Sequence, residues 1–350
     1  MKKKIGFIGY LGYSVEHPII GGQMSKTRGI YNELKRKYGE NNIVSLDTSN
    51  WKKEKADLFV KMAKIAATCN PIIIMPNKNG IKIILPFFSN LKRIFNFSLS
   101  YPVVGGWLTD LLKKYRYLAN AIKDVDYILP ETKQLRDEVK QFTDAKLDVM
   151  SIFSTRKAID EKTIKTTWND VKNFCTFSRV VPEKGIDEAI EAIIQVNKNR
   201  KMCHLDVWGP IDPNYKKHYE ELFTANSDVV TYRGILSADM GLETLSQYYM
   251  MLFPTFYPGE GFPTTLCESF MAGLPVIASD WRFNKELVID GITGFLVPVH
   301  DVEMLCETII NCIDRTETIT KMKLNVLNYS KKFRPEIVIK ELFKWIDSIR

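Results

Sequence analysis

The sequence predicts an α/β protein with two doubly wound parallel-sheet (Rossmann-like) domains. Short apolar runs rich in β-formers alternate with longer amphipathic runs in each half of the chain, which is typical of βαβ units around a parallel sheet. The length of 350 residues leaves room for two domains of roughly 150 residues, each with its own core. We therefore expect two such domains that face one another across a cleft.

Six strands are predicted in the first half of the chain, with helical segments between them. They are residues 4–9, 43–46, 71–75, 101–104, 127–129 and 147–152. A polar stretch without apolar periodicity follows at residues 153–170, and it predicts a linker between the domains. We place the N-terminal domain at residues 1–155.

The second half repeats the alternation. Its predicted strands are residues 173–177, 204–208, 229–232, 250–254, 275–279 and 294–297. Residues 335–349 have apolar residues at helical spacing and predict a C-terminal helix, within 333–350, that packs back on the first domain. The second domain is then 156–332. Because ligands of doubly wound sheets bind at the carboxyl ends of the strands, we expect the chemistry in a cleft lined by both domains.

The composition excludes several classes of protein. The chain has 45% hydrophobic and 26% charged residues and no apolar run of about 18 residues, so no membrane span is predicted. The N-terminus lacks a signal-peptide pattern, which predicts a cytoplasmic location. The six cysteines form no close pairs, and we expect reduced core residues. A net charge of +8 favours an anionic partner or a generic basic surface; without a zinc-finger or RNA-recognition signature, we expect no nucleic-acid partner.

The most informative segment is residues 260–273, which follow a predicted strand. Pro263 suits the first turn of a helix, and Gly273 followed by Pro275 ends that helix. The free N–H groups of the helix start suit phosphate oxygens, which makes the segment a candidate diphosphate site. Its predicted ligand-binding residues are Gly261, Phe262, Pro263, Thr264 and Thr265.

Two carboxylates accompany this segment. Glu260 lies in the loop and Glu268 about one turn into the helix, so both can point to the cleft and accept hydrogen bonds from sugar or ribose hydroxyls. An isolated pair at this spacing is commonly a solvated face. The surrounding Gly-Phe-Pro-Thr sequence favours a site instead.

Two cations lie beside an earlier strand end. Arg179 and Lys184 flank a turn at the carboxyl edge, where they can neutralise a leaving diphosphate; taken singly, either is as often a surface charge at a helix start. No metal site is predicted, because no Asp-x-Asp pair lies at a strand end. We expect no cofactor besides the donor substrate.

Together these motifs resemble those of the family 4 glycosyltransferases of the GT-B fold. The family's E-x7-E element matches Glu260 and Glu268, its Arg-x4-Lys pair matches Arg179 and Lys184, and its tail pattern matches residues 290–296. The resemblance implies a retaining transfer from a nucleotide diphosphate sugar, with a UDP-sugar favoured. In it, Glu260 contacts the donor sugar and acts with Arg179 and Lys184 as the catalytic set, while Glu268 holds the ribose.

The resemblance also implies further contacts and partners. The base would lie near Gly234 and Ile235, and Gly21 and Gly22 would form a glycine-rich loop, unless they are only a flexible turn. The N-terminal domain would bind the acceptor. That acceptor would be a saccharide or polyprenyl-linked saccharide of bacterial capsular or extracellular polysaccharide.

One departure from the family concerns Gly105, Gly106 and Trp107, which stand where many relatives have a histidine near the reacting carbon. No catalytic histidine is therefore transferred, and His17 is the first-domain alternative. A nicotinamide-binding interpretation is disfavoured because the early glycines do not give G-x-G-x-x-G and Asp47 comes late for a ribose carboxylate.

Three questions stay open at this stage. Residues 78–97 mix cations with apolar residues and predict either a basic membrane-surface segment or a buried helix with a charged outer face. The fold and motifs also suit a sugar-nucleotide epimerase. The remaining alternative is a non-catalytic partner subunit of a glycosyltransferase.

Overall fold

The structure is a computed structural model that describes residues 3–16, 22–51, 55–237 and 240–350. The chain forms two compact units. Unit 1 comprises Met1–Thr155 with Phe333–Arg350, and unit 2 comprises Arg156–Lys332. Each unit has a six-stranded sheet whose paired strands are parallel, so the predicted fold class of two doubly wound α/β sheets is confirmed.

Unit 1 has the strand order β2-β1-β3-β4-β5-β6. The order reverses between β1 and β3, which marks the point where loops from the two sides of the sheet diverge. The strands are β1 (Lys4–Gly9), β2 (Ile43–Asp47), β3 (Cys69–Met75), β4 (Leu99–Pro102), β5 (Tyr127–Leu129) and β6 (Lys146–Leu147). The helices are α1 (Gly22–Tyr38), α2 (Lys55–Thr68), α3 (Ile81–Lys92), α4 (Leu108–Lys114), α5 (Arg116–Ala121) and α6 (Lys133–Val139).

The prediction of a strand over residues 147–152 is wrong for most of its length. Only Lys146 and Leu147 form a strand that pairs with β5, although the Asp148 N–H still donates to the Ile128 carbonyl at 3.4 Å. Met150 is fully buried, and its N–H donates to the Pro130 carbonyl at 2.8 Å. A run of apolar side chains indicates burial, and a loop that packs on the core buries such side chains as well as an edge strand does.

A buried ion pair ties together the loops at the carboxyl edge of this sheet. Lys26 of α1 is 2% exposed, and its Nζ donates to Glu131 Oε1 at 3.1 Å and to the carbonyls of Val103 and Met150, each at 2.9 Å. The other oxygen of Glu131 accepts from the Gly105 N–H at 3.0 Å. Because each charge is paired and hydrogen-bonded, the burial is tolerated.

Unit 2 has the strand order β12-β11-β10-β7-β8-β9, which is the Rossmann order with its reversal between β7 and β10. The strands are β7 (Lys172–Phe177), β8 (Cys203–Trp208), β9 (Val230–Gly234), β10 (Met251–Phe253), β11 (Val276–Ser279) and β12 (Gly294–Val297). The helices are α7 (Ile186–Val196), α8 (Lys216–Ala225), α9 (Gly241–Ser246), α10 (Thr264–Met271), α11 (Val302–Asp314) and α12 (Thr316–Ser330).

The C-terminal segment belongs to the core of unit 1. It forms two helices, α13 (Pro335–Val338) and α14 (Lys340–Ile349), where the sequence predicted one. Ile339, Leu342 and Ile346 are fully buried and share a cluster with Phe7 of β1 and Met75 of β3. All six cysteines are buried and free. Within the described ranges, every helix is too short or too polar to cross a lipid bilayer.

Candidate active site

The candidate site is built on the two central strands of unit 2, β7 and β10, at the point where the strand order reverses. The loops that follow these strands touch: the Phe256 N–H donates to the Glu183 carbonyl at 2.9 Å. Gly185 makes this approach possible, because its φ is +71° and a Cβ there would lie 2.1 Å from the Pro254 carbonyl oxygen. Ligands of such sheets bind at this edge.

Lys184 and Glu260 form an ion pair at the centre of the site. Lys184 ends a short 3-10 helix, Pro182–Lys184, and its Nζ lies 2.5 Å from Glu260 Oε2. Both side chains are nearly buried, at 11% and 9% exposed. Thr255 Oγ1 donates to the same carboxylate oxygen at 3.1 Å, so the carboxylate is fixed from two sides. The sequence predicted both charged residues, and the structure places them in direct contact.

Arg179 is exposed and lies two residues beyond β7. Its guanidinium stands 5.5 Å from the centroid of the Tyr257 ring, and Lys184 Nζ stands 5.0 Å from the same centroid. Both cations therefore lie beside one aromatic ring. The face of a neutral aromatic ring has a negative electrostatic potential, which attracts cations and helps to hold two of them near each other.

The start of α10 is next to Glu260 along the chain. Gly261, Phe262 and Pro263 are buried, while Thr264 and Thr265 are partly exposed. The first N–H groups that bond within this turn are those of Leu266 and Cys267, both to the Pro263 carbonyl. Pro263 is the N-cap, one residue before the predicted helical position. The preceding N–H groups form the positive end of the helix.

Glu268 lies on the second turn of α10 and pairs with Arg156, at 3.2 Å between Oε1 and Nη1. Burial raises the pKa of the Glu268 carboxyl, and Arg156 opposes that shift in part. The carboxyl therefore takes up a proton at a higher pH than an ordinary glutamate. Arg156 lies in the segment that we interpreted as a linker, and its role was missed.

The loop that carries Glu260 is held by the loop after β11. Trp281 Nε1 donates to the Tyr257 carbonyl at 2.8 Å, and Arg282 Nη2 donates to the Pro258 carbonyl at 2.6 Å. Ser279 Oγ donates to the Thr255 carbonyl. Residues 255–260 are thus fixed by side chains from a neighbouring strand end, which keeps Glu260 in place.

The remaining predicted contacts lie further along the chain. Gly234 ends β9 with φ +79°, its carbonyl accepts from the Gly209 N–H at 2.8 Å, and Ile235 is 71% exposed. Both lie at the carboxyl edge that also bears Arg179. Gly22 begins α1 of unit 1, whereas Gly21 and His17 lie outside the described residues.

Sequence reasoning missed Thr255 and Tyr257, although each precedes Glu260 by a few positions. A threonine at a strand end and an aromatic residue in a loop are common, so neither carried a signal by itself. In unit 1, Asp47 was considered only as a ribose ligand. Its carboxylate instead accepts from the backbone N–H groups of the loop after β1, those of residues 11–14, at 2.8–3.3 Å.

Solved structures resemble the whole chain. HepE from Anabaena, crystallised with UDP, has a TM-score of 0.76 and 16% identity and covers 99% of this chain and 100% of its own. Sucrose-phosphate synthase from Thermosynechococcus elongatus has a TM-score of 0.72 and 15% identity, with 99% of each chain covered. At such identities the likeness concerns the fold. The two parallel sheets have the GT-B fold of these structures.

The sequence of unit 2 resembles a known family. Residues 159–329 match the model of the glycosyl transferases group 1. The predicted resemblance to glycosyltransferases of the GT-B fold is confirmed.

Curated relatives agree with this resemblance. The GtfA subunit of a UDP-N-acetylglucosamine–peptide N-acetylglucosaminyltransferase from Streptococcus agalactiae is 25% identical over 275 residues, 74% of this chain and 52% of that protein. Its counterpart from Streptococcus gordonii is 27% identical over 194 residues, 53% of this chain and 36% of that protein. The chain spans about half the length of these relatives, or less.

Proposed function

We propose that this chain is a retaining glycosyltransferase that takes its sugar from a UDP-sugar and needs no divalent metal. The observation that carries the proposal is the Lys184–Glu260 pair, 2.5 Å apart, at the reversal of the unit 2 sheet. A sugar diphosphate offers an anion and hydroxyl groups side by side. The cation suits the anion and the carboxylate suits the hydroxyls.

In the proposed reaction, the bond between the anomeric carbon and the diphosphate oxygen breaks, and the acceptor oxygen bonds to that carbon from the same face. Arg179, Lys184 and the N-terminus of α10 stabilise the negative charge that develops on the leaving diphosphate. The proton of the acceptor hydroxyl passes to the departing phosphate oxygen. With two cations and a helix end at this position, no divalent cation is required to neutralise the leaving group.

The choice of UDP rests on structural neighbours. HepE has been crystallised with UDP, with UDP and glucose, and with UDP-glucose, and pneumococcal GtfA, described as an O-GlcNAc transferase, with UDP and GlcNAc. We therefore propose uridine as the base, near Gly234 and Ile235, and glucose or N-acetylglucosamine as first candidates for the sugar. The proposed acceptor is a saccharide or a lipid-linked saccharide.

Donor binding is tested by calorimetric titration with UDP, GDP and ADP and their glucose and N-acetylglucosamine derivatives, with and without EDTA. We expect UDP derivatives to bind and EDTA to have no effect. Binding only in the presence of a divalent cation, or binding of no nucleotide, contradicts the proposal. The second result would favour a non-catalytic partner subunit.

The reaction is tested by NMR of the product formed with saccharide acceptors. We expect the anomeric configuration of the donor to be retained; an inverted product refutes a retaining transfer. Incubation with UDP-N-acetylglucosamine alone serves as the control for an epimerase, and we expect no epimer.

A further inference from the structure

The positive charge of the chain is concentrated in one segment of unit 1. Residues 77–123 contain eight lysines and arginines but one acidic residue, Asp110, a net of +7 against +8 for the whole chain. The rest of the chain is therefore close to neutral. The cations are Lys78, Lys82, Lys92, Arg93, Lys113, Lys114, Arg116 and Lys123, of which Lys92 is paired with Asp126, just beyond the segment.

The outward side of α3, in the same segment, carries exposed apolar residues. The inward side is buried through residues such as Ile84 and Phe88, and a surface helix normally has polar residues on the opposite side. Here Ile83 is 39% exposed, and Ile94, just beyond the helix, is 73% exposed. Of the two interpretations left open for residues 78–97, the structure shows a helix with a buried side, and the membrane-surface interpretation stays a prediction.

Exposed apolar residues of α2 extend this surface. The Phe87 ring of α3 contacts the Phe59 ring of α2, with 5.1 Å between centroids. Phe59 is 37% exposed and its neighbour Val60 is 67% exposed. The contact between Phe59 and Phe87 joins exposed apolar surface of the two helices, and contiguous apolar surface of this kind marks an interaction site.

Cations and tyrosines border the apolar surface at the junction of α4 and α5. Lys82 of α3 and Lys114 of α4 each lie 5.5 Å from the centroid of the Tyr115 ring. Tyr117 is 47% exposed, with its centroid 5.8 Å from that of Tyr115. Lys82 therefore joins the outward side of α3 to residues 113–117. We call the outward side of α3, with Phe59, Val60 and residues 113–117, the α3 face.

We propose that the α3 face docks unit 1 onto the surface of an anionic lipid bilayer. Exposed aliphatic and aromatic side chains enter the boundary between headgroups and acyl chains, and the surrounding cations contact anionic headgroups. Tyrosines favour this same boundary. A nucleic acid would engage the cations but leave the exposed isoleucines and Val60 in water, so the apolar component favours lipid.

The test is flotation of the full-length protein with vesicles. We expect the wild-type chain to float with vesicles of phosphatidylglycerol and phosphatidylcholine at low salt, to float less at high salt, and to stay unbound with phosphatidylcholine alone. Absence of the wild-type chain from the floated fraction on anionic vesicles at low salt overturns the proposal. So does tight binding to single-stranded RNA without vesicle binding, which would assign the cations to nucleic acid.

Substitutions locate the binding surface. The triple variant Lys113→Gln/Lys114→Gln/Arg116→Gln should lower the partition coefficient on anionic vesicles by roughly 100-fold. A matched triple variant in unit 2, Lys198→Gln/Arg200→Gln/Lys217→Gln, makes the same change in net charge and should lower it by less than about 3-fold. Equal losses in the two variants would show that only net charge matters and would overturn the assignment to the α3 face.

The apolar contribution is tested separately with Val60→Ser/Ile94→Ser. Both side chains are largely exposed, so the fold should be retained, as circular dichroism and the melting temperature will show. Binding to anionic vesicles should fall by roughly 10-fold while its salt dependence persists. Unchanged binding would reduce the interaction to electrostatics and contradict insertion of the α3 face. UDP affinity, a property of unit 2, should be unchanged in all these variants.

Discussion

Arg179→Ala and Lys184→Ala should both slow sugar transfer, yet they should differ in their effect on stability. Each removes a cation that we propose to stabilise the leaving diphosphate, and loss of one such donor costs roughly 2.7–4 kcal/mol, or about 100- to 1000-fold in kcat. Arg179 is exposed, and a ring contact of its kind contributes about 0.5–1 kcal/mol. Lys184 pairs with a nearly buried carboxylate, and breaking a buried pair costs about 3–5 kcal/mol.

The assay measures kcat at saturating UDP-sugar and, in parallel, the urea midpoint followed by tryptophan fluorescence. Arg179→Ala should lose activity with a nearly unchanged midpoint, whereas Lys184→Ala should lose both. The double variant Lys184→Met/Glu260→Gln removes both charges together, so the midpoint should recover in large part while kcat stays low. Wild-type kcat in either single variant refutes the catalytic assignment of that cation.

Three further predictions concern titratable groups. Burial raises the pKa of Glu268, so the affinity for UDP-glucose, measured by calorimetry, should weaken on acidification from about pH 7 to about pH 5. Glu268→Gln should bind UDP-glucose weakly, and its affinity should not change over this pH range. Burial raises the pKa of Asp47, but hydrogen bonds from Ser49, Leu11 and Ser14 outweigh burial, so the net pKa is lowered. The carboxylate therefore contributes stability above its unfolded pKa, and Asp47→Asn should be less stable than the wild-type chain at neutral pH. In denaturant titrations this difference should shrink below about pH 4. Burial lowers the pKa of Lys323 to about 7 from 10.5, so the free energy of unfolding of the wild-type chain should rise as the pH rises through that interval. Lys323→Met should lack this rise. A difference in unfolding free energy between the wild-type chain and Lys323→Met that is constant with pH would contradict the assigned pKa.

Strand positions could be predicted where a short apolar run lies between residues that end strands. The prediction is correct to the residue for 127–129 and 294–297. The first strand lies inside its sheet, and the second, although at a sheet edge, is paired with β11 along its full length. The prediction failed at residues 147–152, because Met150 and Ile152 are buried in a loop. The sequence indicates which side chains are buried, whereas backbone hydrogen bonding at a sheet edge also depends on the neighbouring strand.

The charged residues of the site could be predicted, but their pairing could not. Lys184 and Glu260 are 76 positions apart, and their contact requires that the loops after β7 and β10 meet at Gly185. Arg156 illustrates a different difficulty. It lies in a polar segment without periodicity, and only the folded path of that segment brings its guanidinium to Glu268.

The balance of charges in the site explains why it should favour an intact sugar nucleotide over a bare diphosphate. Arg179 and Lys184 supply two positive charges and Glu260 one negative charge, and the end of α10 adds about half a positive charge. A phosphate that draws the Lys184 ammonium away from Glu260 leaves this nearly buried carboxylate less compensated, with the hydrogen bond from Thr255 remaining. An uncompensated buried carboxylate is costly. Sugar hydroxyls that donate to Glu260 remove that cost, so binding of the sugar and binding of the diphosphate favour one another through this single ion pair.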